Sequence, residues 1–196
     1  MAPLSAGECA ALAGRAAALV NLAALPPDVS EQLWADEDSE AWLEVTSGLR
    51  DTGFHDHDGS AVGVYVIVGE VTNEGLPVGG PRRVRGYAAG DSFSFPGAGI
   101  HRMAHHAGAV TVHVYSPPLR AIGYYEIVDG LLQRTLGPPD APSPESPRLL
   151  AAAGAPVQVG ADLADAVQCV RDPRCQREQR CSGYGNFYRI GNFYVS

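Results

Sequence analysis

The chain has no lysine: all 14 of its basic residues are arginine. These arginines form no broad basic field, and the net charge is −8, which argues against a nucleic-acid partner. Cysteine is scarce. Cys9 stands alone, while Cys169, Cys175 and Cys181 fall together near the C-terminus. No disulfide framework therefore spreads over the chain, and free thiols of a reducing compartment are the expectation. The C-x5-C-x5-C spacing is also a poor metal-ligand pattern. No apolar run is long enough to span a membrane. The Ala-rich start, "MAPLSAGECAALAGRAAALVNLAALPP", lacks the basic opening of a signal peptide, carries Glu8 early and is split by Arg15. The expected location is cytoplasmic. Abundant Ala, Gly and Pro beside the missing lysine match a GC-rich bacterial gene, a hint about origin and not about function.

What is present suffices for one domain with a real core: 196 residues, 45 % hydrophobic and 18 % charged. Residues 6–24 and 28–38 read as helices, the first ending before Pro26-Pro27. From Ala41 the texture changes. "AWLEVTSGL", "AVGVYVIVGEVTN", "RRVRGYAA", "DSFSFP", "AVTVHVYS", "IGYYEIV" and "LLQRTL" are short runs rich in β-branched and aromatic residues. Gly, Pro, Asp or Asn bound each of them. Such a series predicts a mainly β domain, a barrel or double-sheet sandwich. The expected organisation is N-terminal helices over 1–40 packing on a β-barrel over 41–136, a Pro-rich linker over 137–148 and a helical or irregular C-terminal extension over 149–196. That extension contains Gly-Asn-Phe-Tyr twice, and its local basic charge reads as solvated surface.

The stretch "GFHDHDGS" carries the chemistry. In a strand, residues i and i+2 face the same side, so His55 and His57 converge and Asp56 turns away. On its own the pair also suits a surface loop or packed core histidines. A third histidine comes from "GDSFSFPGAGIHRMAHH", where a Gly90 turn, a short strand and a Pro96-Gly97 turn lead to His101. Strand pairing can bring His101 beside the other two, giving a three-histidine metal site. His105 and His106 follow, and a solvated loop is the favoured reading for them.

The spacing resembles the two cupin motifs. The first runs His-x-His, then Glu, then Gly. His55, His57 and Gly69 fit it, but Val62 stands at the Glu position. The second runs Gly, Pro, His, then Asn. Gly90, Pro96 and His101 fit it, with His105 where Asn is usual. Within the cupins, "HDHDGSAVG", "GIHRM" and "TVHVYSPPL" resemble the cysteine dioxygenase (thiol dioxygenase) family, over about residues 40–135.

That resemblance implies a cupin-type double-sheet jelly roll. It also implies Fe(II) held by His55, His57 and His101 without a carboxylate, with O2 as co-substrate. Three neutral imidazoles give the metal no compensating charge. The site then favours an anionic ligand, such as a thiolate, and coordination deprotonates a thiol. The implied activity is oxidation of the sulfur of L-cysteine or a near relative to a sulfinate. Two alternatives stay open: a pathway enzyme taking cysteine to another oxidised sulfur product such as a sulfonamide, and a metal- and ligand-binding cupin without turnover.

In "TVHVYS", Thr111, His113 and Tyr115 share a face. They match the family's Ser-His-Tyr relay beside the iron, with Thr keeping the hydroxyl. Some members cross-link this Tyr to a Cys at the position of Val62. With valine there, Tyr115 is an unmodified phenol. The family commonly holds the substrate carboxylate with an Arg upstream of the first motif, and nothing between Arg15 and Arg50 is basic. Arg50 and Arg82 are the leading replacements, with Val62 and His105 also facing the substrate. The expected assembly is a monomer or homodimer.

Overall fold

A computed structural model describes residues 2–77, 80–129 and 131–137. The linker and C-terminal extension expected beyond residue 137, and three of the four cysteines, lie outside the described residues. Within them the order is α1 (Ala6–Ala17), a 3-10 turn (Leu22–Ala24), then β1 (Val29–Ala35), β2 (Glu40–Val45), β3 (Arg50–Asp51), β4 (His55–Asp56), β5 (Ala61–Val68) and β6 (Glu70–Gly75). β7 (Arg83–Ala88), β8 (Ser92–Phe95), β9 (His101–His105), β10 (Val110–Ser116), β11 (Ile122–Val128) and β12 (Leu131–Gly137) complete it. No helix among the described residues is long and apolar enough to cross a membrane.

Two expectations at the N-terminus are corrected. The first helix stops at Ala17, and Leu22–Ala24 is a separate 3-10 turn that Asn21 caps. Within residues 28–38, expected as a helix, Val29–Ala35 forms the edge strand β1 instead. The strongly acidic composition of residues 28–38 carries little local strand signal. The partner supplies it: Ser30 Oγ donates to Glu44 at 2.6 Å and Gln32 Nε2 to Glu40 at 3.1 Å across the β1–β2 pair. Here tertiary pairing outweighs weak local propensity. The α1 start behaves as its sequence dictates: Ser5 and Glu8 form a reciprocal capping box.

One sheet runs β1-β2-β10-β5-β8, and the other β12-β11-β4-β9-β6-β7, with β3 also on β9; all pairings are antiparallel. Successive strands from β2 to β10 cross back and forth between the two sheets. The first sheet thus contains β2-β10-β5-β8 and the second β4-β9-β6-β7. This interleaving is the double-sheet jelly roll.

The register decides which side chains face the space between the sheets. Opposed residues of an antiparallel pair share a face. Glu40, Trp42 and Glu44 of β2 oppose Tyr115, His113 and Thr111 of β10, which oppose Val62, Val64 and Val66 of β5. These residues face the second sheet, and Val62, Val64 and Val66 join Val71, Phe93 and Met103 in one buried cluster. The alternate set, Leu43, Val112 and Val114, is buried on the opposite face.

α1 lies on that opposite face, over β5. A Cβ on Gly63 would stand 2.0 Å from the Ala10 backbone nitrogen, and the ring of Tyr65 lies against Gly14. Helix and strand are therefore in backbone contact at Gly63. Gly63→Val is expected to push α1 off the sheet and to cost at least the roughly 1–3 kcal/mol typical of overpacking. A chemical denaturation curve with an unchanged midpoint would refute this.

Candidate metal centre

His55 and Asp56 form β4, a two-residue strand wedged between β11 and β9. His55 is directly opposite His101 across the β4–β9 pair. His57 follows immediately, its backbone N–H donating to the Gly97 carbonyl at 3.3 Å, so the segments that hold His57 and His101 are tied together. The three rings meet with centroid separations of 5.1 Å (55–57), 4.4 Å (55–101) and 5.0 Å (57–101). One nitrogen of each lies within 4.8 Å of the others.

The ring nitrogens are sorted by their partners. His55 Nδ1 lies 3.0 Å from the Gly53 carbonyl, which only accepts, so Nδ1 carries the proton and Nε2 is bare. His101 Nδ1 likewise donates to Asn73 Oδ1 at 2.8 Å, and its bare Nε2 stands 3.4 Å from His57 Nε2. His57 Nδ1 is buried without a partner. Burial lowers all three pKa values, His57 to about 3, and the neighbouring histidines lower His57 and His101 further. Neutral, converging imidazoles, two of them with the outward nitrogen fixed by an acceptor, are the state that metal ligation needs. The residues therefore fit a metal ion.

Asp56 points to the other side of the strand, as its position requires. It is buried and accepts from Arg134 Nε and Nη2, both at 2.7 Å, and from Tyr125 Oη at 2.5 Å. Burial alone would raise its pKa, but these bonds hold the carboxyl at about 2. Arg134 reaches it across Gly123, where a Cβ would lie 2.4 Å from Arg134 Nε. The clamp thus fixes β4 from behind while the histidines project inward.

Tyr115 sits beside the triad, its ring 5.2 Å from His57 and stacked at 6.3 Å on His113. Burial, then Glu44 and Glu40, raise its pKa, so the phenol keeps its proton. Thr111 Oγ1 and His113 Nε2 are 2.8 Å apart. Among the described residues no hydrogen bond joins His113 to Tyr115; the two rings stack instead. Val62, fully buried, opposes both Tyr115 and Phe95, and Phe95 stacks on His101 at 4.5 Å. One wall of the site is therefore apolar.

The remaining expected residues divide. Arg50 lies on β3 opposite His105, with Nη1 2.6 Å from Glu44 Oε2. Arg82 is not brought to the site: it pairs with Glu74, lies near the ring of Phe54, and its side chain is 62 % exposed. His105 is not in a solvated loop. It ends strand β9, faces inward like His101 and Met103, and is 2 % exposed. The period-two pattern of "HRMAH" puts all three on one face, and the reading missed it because the histidines look polar.

Asn73, the acceptor that orients His101, was not anticipated either. Its signal was the alternation of Val71 and Asn73 on β6, beside β9. Asn73→Ala is expected to weaken divalent-metal affinity by roughly 10–100-fold, read by competition with a chromophoric chelator. Unchanged affinity would remove Asn73 from the metal centre.

No protein-family model matches the chain, and no curated protein does. Solved structures with similarity include KdgF from Halomonas sp. (19 % identity, 45 % of this chain and 76 % of that one, TM-score 0.39). An RmlC-like cupin protein from Desulfovibrio desulfuricans (16 %, 50 % and 94 %, TM-score 0.43) is another. Oxalate decarboxylase from Bacillus subtilis matches at 21 %, over 41 % of this chain and 21 % of that one, with a TM-score of 0.37. This chain thus spans about a fifth of that decarboxylase. The fold assignment rests on the chain's own strand order: a double-sheet jelly roll with a buried three-histidine site.

Proposed function

We propose that this chain is an Fe(II)- and O2-dependent thiol dioxygenase that oxidises the sulfur of L-cysteine, or a closely related small thiol, to a sulfinate. One observation carries the reading. Three neutral, buried imidazoles converge with no carboxylate among them, and valine stands at the position where the cupin pattern has glutamate. A ligand set without charge favours an anionic partner, and a thiolate is one.

Iron held there would supply a Lewis-acid centre that lowers the thiol pKa and a redox centre for O2. The overall change balances as RS⁻ + O2 → RSO2⁻: sulfur loses four electrons, O2 gains four, and both oxygen atoms end on sulfur. The chain's residues bind and orient. Tyr115, a protonated phenol 5.2 Å from His57 by ring centroid, donates a hydrogen bond into the site. Thr111 and His113 hold the wall beside it. Val62 and Phe95 exclude water on the apolar side. Arg50, half-buried, is the candidate for a substrate carboxylate: Glu44 occupies only part of its five-donor fork.

The test is O2 uptake by Fe(II)-loaded protein with L-cysteine, 3-mercaptopropionate and cysteamine, with products identified by mass spectrometry. A sulfinate formed only with iron and thiol present supports the proposal. A product with an S–N bond, or without its carboxylate, would replace it with the specialised-pathway reading. Thiol binding without O2 loss would leave a non-catalytic cupin. The stacked, unbonded His113–Tyr115 pair is the observation that keeps this last reading in view.

A further inference from the structure

Behind the metal centre lies a second polar cluster, and one of its members, His105, has no part in the proposed chemistry. Thr111 Oγ1 is shared by two imidazoles: His113 Nε2 at 2.8 Å and His105 Nε2 at 3.4 Å. Thr111, His105 and His113 are all buried. Burial holds both rings neutral, and Arg50 acts on each in the same direction. A neutral imidazole has one N–H and one bare nitrogen, and a hydroxyl has one proton to give.

The shared hydroxyl couples the two rings. Thr111 has one proton to give, so it donates to one Nε2 and its oxygen accepts from the other. One of His105 and His113 therefore carries its proton on Nε2 and the other on Nδ1. His105 Nδ1 is buried without a partner, which leaves Thr111 as the hydrogen-bond partner of that ring.

We propose that His105 is a positioning residue: through the shared Thr111 hydroxyl it fixes the tautomer of His113, the ring stacked on Tyr115 beside the metal centre. The tautomers of His105 and His113 are opposite, because the one hydroxyl between them can donate to only one ring. Fixing His113 this way settles which of its two edges donates and which accepts. The inference stands on geometry alone and does not depend on the thiol chemistry, so it can be tested without metal or substrate.

The experiment uses the full chain with ¹⁵N-labelled histidine, metal-free with chelator present, at neutral pH. Long-range ¹H–¹⁵N correlation spectra report which ring nitrogen of each histidine bears the proton. The expected wild-type result is opposite tautomers, one of His105 and His113 in the Nε2–H form and the other in the Nδ1–H form. In His105→Phe, His113 is expected to lose its single wild-type tautomer, its Nε2 resonance moving to a value between pyridine-like and pyrrole-like. His105→Gln, whose amide can still hydrogen-bond Thr111, is expected to restore it. Thr111→Val, which removes the shared hydroxyl, provides the same loss if His105→Phe does not fold. The same tautomer on His105 and His113 in the wild type overturns the proposal. So does an unchanged His113 tautomer in a folded His105→Phe or Thr111→Val variant. Failure of the thiol assay touches none of these outcomes.

Discussion

His101→Ala is expected to abolish stoichiometric binding of a divalent metal while the fold survives. His101 is the keystone of the triad: it opposes His55 in register, its Nε2 faces His57, and Asn73 fixes its proton on the other nitrogen. Without it two ligand nitrogens remain. The loss should exceed the roughly 10–100-fold that removal of an outer hydrogen-bond partner costs. The structural cost is smaller. A buried cavity opens under Phe95, and Asn73 loses its donor, a penalty on the order of 1–3 kcal/mol. Equilibrium dialysis with metal analysis, beside far-UV circular dichroism, makes the check. A folded His101→Ala protein that still holds one metal per chain would show that the ion sits elsewhere.

Acid is expected to unfold the metal-free chain well above the range where carboxylates titrate. Five of the six histidines are buried: His55, His57, His101, His105 and His113. Burial lowers every one of them, with His57 and His105 reaching about 3. The unfolded value is about 6.5. Above it, the rings are neutral in both states and stability is insensitive to pH. Below it, the unfolded chain takes up protons that the folded chain refuses, so stability falls with pH until the depressed folded values are reached.

The magnitude is decisive. One unit below the unfolded pKa, a buried histidine whose folded value lies far lower costs about 1.4 kcal/mol, and the four pushed down furthest, His57, His101, His105 and His113, together cost about 6 kcal/mol. A typical domain has roughly 5–15 kcal/mol in total. Asp56, held at about 2, shifts stability in the same direction only at lower pH, as its clamp on Arg134 is protonated away. Urea denaturation of the metal-free protein between about pH 7.5 and 5 reads the slope. Uptake of several protons on unfolding is expected; one proton or none would mean that the histidines are not buried neutral. A saturating divalent metal should raise stability and push the acid transition down, because ligation requires the same neutral rings.

The two expectations share one cause: a group of imidazoles packed where water is excluded. Thr111, His113 and Tyr115 could be placed together from the alternation of one strand, and so could His55 and His57 with Asp56 behind them. Short-range periodicity is enough there, because the pleat assigns faces residue by residue. That Val62 stands at an acid's place came instead from the resemblance to the first cupin motif.

Other features needed partners far along the chain. Residues 28–38 have little strand signal of their own, and Val29–Ala35 becomes a strand only because β2 offers its edge. His105 looked like a loop residue because its hydrogen-bond partner, Thr111, and its opposed neighbour, Arg50, lie on other strands. Arg82 and Arg50 are equally basic as residues, yet Arg82 pairs with Glu74 and stays largely exposed while Arg50 pairs with Glu44 and is half-buried. The clamp of Arg134 on Asp56 spans 78 residues. The sequence by itself determined which side chains share a strand face, since that depends on backbone geometry alone. Only the tertiary structure decided which faces meet, which cations are neutralised and which nitrogens are left bare, because these depend on the pairing of strands distant in the chain.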